Sequence, residues 1–202
     1  MTSSNNLEHL QAMRQSILDL MPAQSRFTDK DSTVLDQHKD MMLSWTPDIV
    51  KGFYDMLYAH APTAEIFHEG ERPKVEKTLV DWWNRVANGP RDNQFWDWMT
   101  FVGLVHVVRK VKNPMMIAAW SFVEDEALKR SAAALPAEQA NEFQRAIARF
   151  GLTFNALVAE SYIIHYLEAV SESTGSSAVL LDRLVLTEIG QMLANVQGHF
   201  RG

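Results

Sequence analysis

A chain of 202 residues, 47% of them apolar, can bury a sizeable core in one domain and is too short for two of ordinary size. It has no cysteine, which excludes disulfides, thiolate-bound zinc, iron–sulfur centres and cysteine nucleophiles, so any metal must be held by His, Asp, Glu or a cofactor. A formal charge of -6, with no Lys/Arg cluster beyond "RKVK", argues against nucleic acid as a partner; no apolar run approaches the ~18 residues that cross a bilayer and no leader pattern opens the chain, so a cytoplasmic protein with no membrane contact is expected.

Several of the nine Gly and seven Pro fall where helices would start or stop, and no strand alternation competes, so the expected fold class is all-α. Leu7, Leu10, Ile17 and Met21 recur at helical spacing before Pro22 and predict a short N-terminal helix. After Thr28, the residues Val34, Leu35, His38, Met41, Met42 and Trp45 trace an amphipathic helix. Thr46-Pro47 then supplies a cap and a first-turn proline for another, carrying Ile49, Val50, Phe53, Tyr54, Leu57 and Tyr58. Beyond the polar loop "HEGERP", Pro73 opens a helix with Val75, Leu79, Trp82, Trp83 and Val86, which "ANGPRDN" ends.

From Phe95 to Arg109 the residues are apolar on almost every face, as in a helix buried on most sides. Asn113-Pro114 starts the next, which runs through Trp120 and Val123. The longest helix follows Pro136, carries Phe143, Ile147, Phe150, Phe154, Leu157 and Val158, and fades at "SESTGSS", the best candidate hinge. A last amphipathic segment holds Leu181, Val185, Ile189, Met192 and Val196. The expected organisation is one domain over 1–175 and a C-terminal amphipathic extension over 176–202, whose apolar stripe must pack on that domain or on a partner.

No Gly-rich phosphate loop, HExxH pair, nucleophile elbow or EF-hand loop occurs, and the scattered acids read as solvated charge. Among the histidines, His9, His60, His68 and His199 fall near helix ends or in polar surroundings, and His38 lies on an apolar stripe. His106 in "VGLVHVV" and His165 in "SYIIHYL" sit in apolar runs, where a lone histidine is usually a core residue with one hydrogen bond. His106 has the more unusual setting: β-branched neighbours, Val102 one turn before it, and Gly103, which permits close approach by something flat or by another backbone. A neutral imidazole in a dry, flat-sided pocket suits the proximal ligand of a haem iron.

At these residues the chain resembles the protoglobin and globin-coupled sensor family, haem-binding globins with an added N-terminal helix. "FVGLVHVVRKVKNPMMIAAW" is similar to the family's proximal stretch, "GFYDMLYAHAPTAEIF" to its second helix and haem edge, and "VEKTLVDWWNRVANG" to its distal helix. The likeness covers roughly 28 to 170. It implies a globin-like helical fold, haem b as cofactor and His106 as the metal ligand. By the same resemblance Phe53 and Tyr54 face the distal side, Phe67 packs on the porphyrin, Thr78 or Leu79 points towards the ligand, and Trp82 is the distal-helix tryptophan.

Val102 and Met116, with Met115, are expected against the cofactor as well, and Arg109, Arg72, Lys74 and Lys77 are candidates to meet the propionates. Tyr54 would donate its hydroxyl to a bound gas, a bond worth ~1.5–3 kcal/mol in a dry pocket. The chain departs from sensor members at Val108, Lys110-Val111 and Met116.

The expected act is reversible binding of a diatomic gas (O2, NO or CO) for sensing, scavenging or storage, without catalysis. Family members often join this domain to an output module; this chain ends before one, so no output activity is expected of it. A haem enzyme such as an NO dioxygenase or peroxidase with an external reductant, or a haem-free scaffold for protein contacts, is the alternative. A homodimer built from 177 to 197 and the end of the long helix is expected.

Overall fold

A computed structural model describes residues 3–197, with side chains from residue 5 onward; His199 lies outside the described residues. Ten α-helices and a 3-10 turn make up the described residues, and no strand occurs among them. The helices are α1 (Ser3–Leu20), α2 (Asp29–Gln37), α3 (Lys39–Ser44), α4 (Thr46–Ala59), α5 (Ala61–Ala64), α6 (Arg72–Asn88), α7 (Asn93–Arg109), α8 (Asn113–Ala134), α9 (Ala137–Thr174) and α10 (Ala178–Gln197). The chain forms two compact units, 1–162 and 163–202.

Local chemistry accounts for most of the helix ends. Thr28 and Asp31 form a reciprocal capping box at α2: the Thr28 hydroxyl accepts from the Asp31 N–H, and the Asp31 carboxylate accepts from the Thr28 N–H. Prolines stand in the first turn of α4, α6 and α8, where the missing N–H has no cost. Gly89, at φ 65°, ends α6 in a left-handed conformation open to glycine.

Two expectations need correction. The single helix read through Val34 and Trp45 is two, because His38 leaves helical geometry (φ -114°, ψ 16°) between α2 and α3. Thr46 is not a cap: Trp45 already has helical backbone, and the Thr46 hydroxyl donates backwards at 2.8 Å to the Leu43 carbonyl, freed by the end of α3. The four-residue α5 went unread because "HAPTAEIF" is too short to show a period.

In the first unit α6 packs against α2, α3 and α4, α4 also against α8, and α1 against α7. Trp83, Phe95, Phe143, Phe150, Leu35, Met42, Ile49 and Met99 are completely enclosed in this core. Trp83 satisfies its indole N–H by donating at 2.9 Å to the Met42 carbonyl. Arg14 of α1 donates at 2.6 Å to Asp97 of α7, a nearly buried pair that fixes the N-terminal helix to the helix carrying His106.

Gly103 admits another backbone. A Cβ there would stand 2.0 Å from Ser161 Oγ and 2.7 Å from the Val158 carbonyl, so α7 crosses α9 at van der Waals range. The Ser161 hydroxyl, donating at 2.8 Å to the Thr100 carbonyl, seals the crossing. Of the two occupants the sequence allowed at Gly103, the structure has the backbone.

In the second unit α9 continues to Thr174, and Gly175 turns the chain at φ 67° into α10. Leu180, Leu184, Ile189, Leu193 and Val196 are exposed within this unit.

Candidate functional site

Within the first unit α6 and α7 run antiparallel as the walls of a slot. The direction follows from two cross-contacts: Trp82 Nε1 lies 3.4 Å from Met99 Sδ at the inner end, and Glu71 faces Arg109 at the outer end. Residues of α4 and α8 and Phe154 of α9 close the remaining sides around a cavity of about 460 Å³. That volume lies in the range of small-molecule and cofactor sites. Its lining is apolar apart from a few groups, chiefly His106, Tyr54, Thr63, Thr78, Glu71, Lys74 and Arg109.

Of the residues expected at the site, Phe53, Tyr54, Phe67, Thr78, Leu79, Trp82, Val102, His106, Arg109 and Met116 line this one cavity. Met115 and Lys74 line it as well, whereas Arg72 and Lys77 do not. Arg72 is committed to Asp55 and Glu76 (2.6 and 2.7 Å), and Lys77 to Asp81 (2.6 Å). His165 belongs to the other unit, where its Nδ1 lies 3.3 Å from Glu168.

His106 stands in the last turn of α7. That helix stops because Lys110 takes a left-handed conformation (φ 58°), returning its N–H to the Val107 carbonyl, while Val111 N–H closes on the His106 carbonyl. The imidazole is largely buried, and its Nδ1 has no hydrogen-bond partner. Loss of hydration lowers its pKa to about 4, so at neutral pH the ring is uncharged and keeps a lone pair for a metal. The departures from the sensor pattern do not touch this chemistry: Val108 points to solvent, Lys110 forms the helix end, and Met116 is a buried wall residue.

Tyr54 is 6% exposed, held between Phe53 and Phe67 with ring centroids 5.2 and 5.8 Å away. Desolvation raises its pKa above the ordinary phenol value, with the Glu76 carboxylate adding to the rise, so the hydroxyl stays a proton donor at any physiological pH. It donates at 2.7 Å to the Val75 carbonyl of α6. Trp82 lies in an aromatic layer with Trp83, Trp120, Phe150 and Phe154.

Glu71 and Thr63 are polar lining residues that sequence reading missed, and Glu71 is the charged one. Arg109 donates to both of its carboxylate oxygens, at 2.6 and 2.9 Å, and the His68 N–H adds a third bond at 3.0 Å. These donors, the guanidinium first, hold the carboxyl at a pKa of about 2. Nothing local in "HEGERP" announces a partner 38 positions away.

The donor set fits a metal that brings its own equatorial ligands. No group of three or more His, Asp or Glu side chains that could cage an ion occurs among the described residues. The cavity instead offers one largely buried, uncharged imidazole, its Nδ1 without a hydrogen-bond partner, beside apolar walls, and His106 would be the residue to hold such a metal.

An all-α fold with this helix order, carrying such a histidine at the edge of an apolar slot, is globin-like. The Protoglobin family profile matches residues 5–168, and the chain belongs to that family of haem-binding globins. Among curated proteins none matches the chain.

Proposed function

We propose that the protein binds one haem b in the α6–α7 slot, where His106 would hold the iron and Tyr54 would offer its hydroxyl to the gas, and that it serves gas sensing, scavenging or storage rather than catalysis. The observation that carries this reading is the convergence on one apolar cavity of a largely buried imidazole whose Nδ1 has no hydrogen-bond partner and a buried tyrosine whose hydroxyl is a hydrogen-bond donor. Haem supplies the iron centre that takes up O2, NO or CO.

The residues of the chain do the rest. His106 contributes a lone pair with no proton to displace at neutral pH. Phe53, Leu79, Trp82 and Val102 keep water from the slot, so that a hydrogen bond made there counts for more than one made in solvent. Tyr54 has its hydroxyl committed to the Val75 carbonyl, and turning it towards a gas exchanges one acceptor for another without leaving a buried donor unpaired.

The absorption spectrum of purified, hemin-reconstituted protein reduced with dithionite tests the reading: a ferrous spectrum with histidine ligation is expected for wild type and for His165→Ala, and its loss for His106→Ala. An unchanged ligation spectrum in His106→Ala would sink the assignment, and no Soret band after hemin addition would establish a haem-free scaffold. We also propose that α10, with the end of α9, joins two copies of the chain through its apolar residues. A monomer by light scattering at high concentration removes that interface.

A further inference from the structure

Polar contacts join the two walls of the slot at its two ends, and beyond the inner one Arg85 of α6 lies over the Phe95 and Trp98 rings of α7. Between the Trp82–Met99 contact and the Glu71–Arg109 pair, no hydrogen bond or ion pair links α6 to α7 among the described residues. The rim there is formed by exposed side chains: Lys74 and Thr78 on α6, Phe101 and Val105 on α7. The inner contact lies in the aromatic core. The outer one is reachable by solvent, with Arg109 31% and Glu71 10% exposed.

The cations around this outer end are differently engaged. Arg109 lines the cavity but gives both of its terminal nitrogens to Glu71. Arg72 lies 5.3 Å over the Tyr58 ring and is held by Asp55 and Glu76. Lys74 lines the cavity and has no carboxylate within ion-pair distance among the described residues.

We propose that the Glu71–Arg109 pair is a clasp that closes the outer end of the slot and governs entry and loss of a planar, acid-edged ligand, while Lys74 is the cation that receives that ligand's carboxylate. The identity of the ligand rests on the haem reading; the clasp itself does not. A rigid flat molecule enters between the walls only if they part, and the solvent-accessible end parts more readily than the aromatic end. Parting releases the last turn of α7, which carries both Arg109 and His106. With the clasp closed, Arg109 is a positioning residue for that turn, and Lys74 stands free at the rim for an incoming carboxylate.

Two rates separate these roles. In the cofactor-free protein, stopped-flow entry of the neutral dye Nile red reads opening of the slot. In the hemin-loaded protein, transfer to an excess of a high-affinity haem scavenger reads loss. Glu71→Gln and Arg109→Gln are each expected to speed both processes about fivefold or more, the scale of one charge-assisted hydrogen-bonded pair. Lys74→Gln is expected to leave dye entry within about twofold of wild type and to speed hemin loss about fivefold. Lys129→Gln, whose ammonium pairs with Asp125 on α8, changes neither rate.

Dye entry into Glu71→Gln at the wild-type rate, with native circular dichroism, overturns the clasp. Hemin loss from Lys74→Gln at the wild-type rate overturns the carboxylate assignment. A wild-type protein that admits the dye but takes up no hemin overturns the haem reading, and the dye-entry rates then judge the clasp alone.

Discussion

At the inner end of the slot Trp82, Trp120, Phe150 and Phe154 form a layer with ring centroids 5.6–6.4 Å apart, whereas at the outer end two charged side chains meet across water-accessible space. The aromatic end is held by close packing, which has no easy substitute once a ring is removed. The charged end is held by hydrogen bonds that water, salt or another anion can replace. One cavity thus combines a fixed wall that sets its shape with an exchangeable wall that sets its traffic.

The largest test of that contrast is Phe150→Ala. Phe150 touches the rings of Phe27, Trp82, Phe95, Trp96, Trp120 and Phe154, and its loss is expected to cost about 3–5 kcal/mol in urea unfolding. Arg109→Gln should cost about 1 kcal/mol or less. Equal costs at the two ends would break the comparison.

The next effect is a pH dependence of the cofactor-free protein. The folded-state pKa of His106, about 4, lies below the ordinary value of 6.5. Between those values the unfolded chain takes up a proton that the native chain refuses. Stability is therefore whole above the upper value and falls as pH drops towards the lower one, by up to about 3 kcal/mol. Urea midpoints from pH 7 to pH 4 for wild type and His106→Leu check this, and a wild type no steeper than the variant would contradict it.

Gly103→Ala comes third. The methyl must push Ser161 and the α9 backbone aside, an overpacking cost of about 2 kcal/mol, read as a lowered melting temperature. A neutral result would mean that the α7–α9 crossing yields more easily than its geometry implies. The smallest effect is Tyr54→Phe, which should quicken O2 dissociation about tenfold by removing one hydrogen bond, with little change for CO. Equal O2 off-rates would take Tyr54 out of the gas site.

Helix identity was legible because period, proline and glycine are local signals, and α6, α7, α8 and α9 begin within a few residues of where they point. The residues of the slot were legible in a different way, through resemblance at "FVGLVHVV" and its partners, since nothing in spacing alone separates His106 from a core histidine. What stayed hidden depends on contacts distant in sequence. Glu71 looked like loop charge until Arg109 was beside it, Gly103 admitted two explanations until α9 lay across it, and the break at His38 has no proline or glycine to mark it.

The carboxylate of Asp31 also bears on how the chain finds its fold. It completes the cap of α2 and also accepts from Arg149 on α9, joining residues 118 apart in sequence. Closing so long a loop carries an entropic cost that local helix formation does not recover until the intervening helices have condensed. We expect α2 to be among the last helices to gain protection in a pulsed hydrogen-exchange refolding experiment. A small polar contact at the edge of the bundle would then report when the whole first unit has closed.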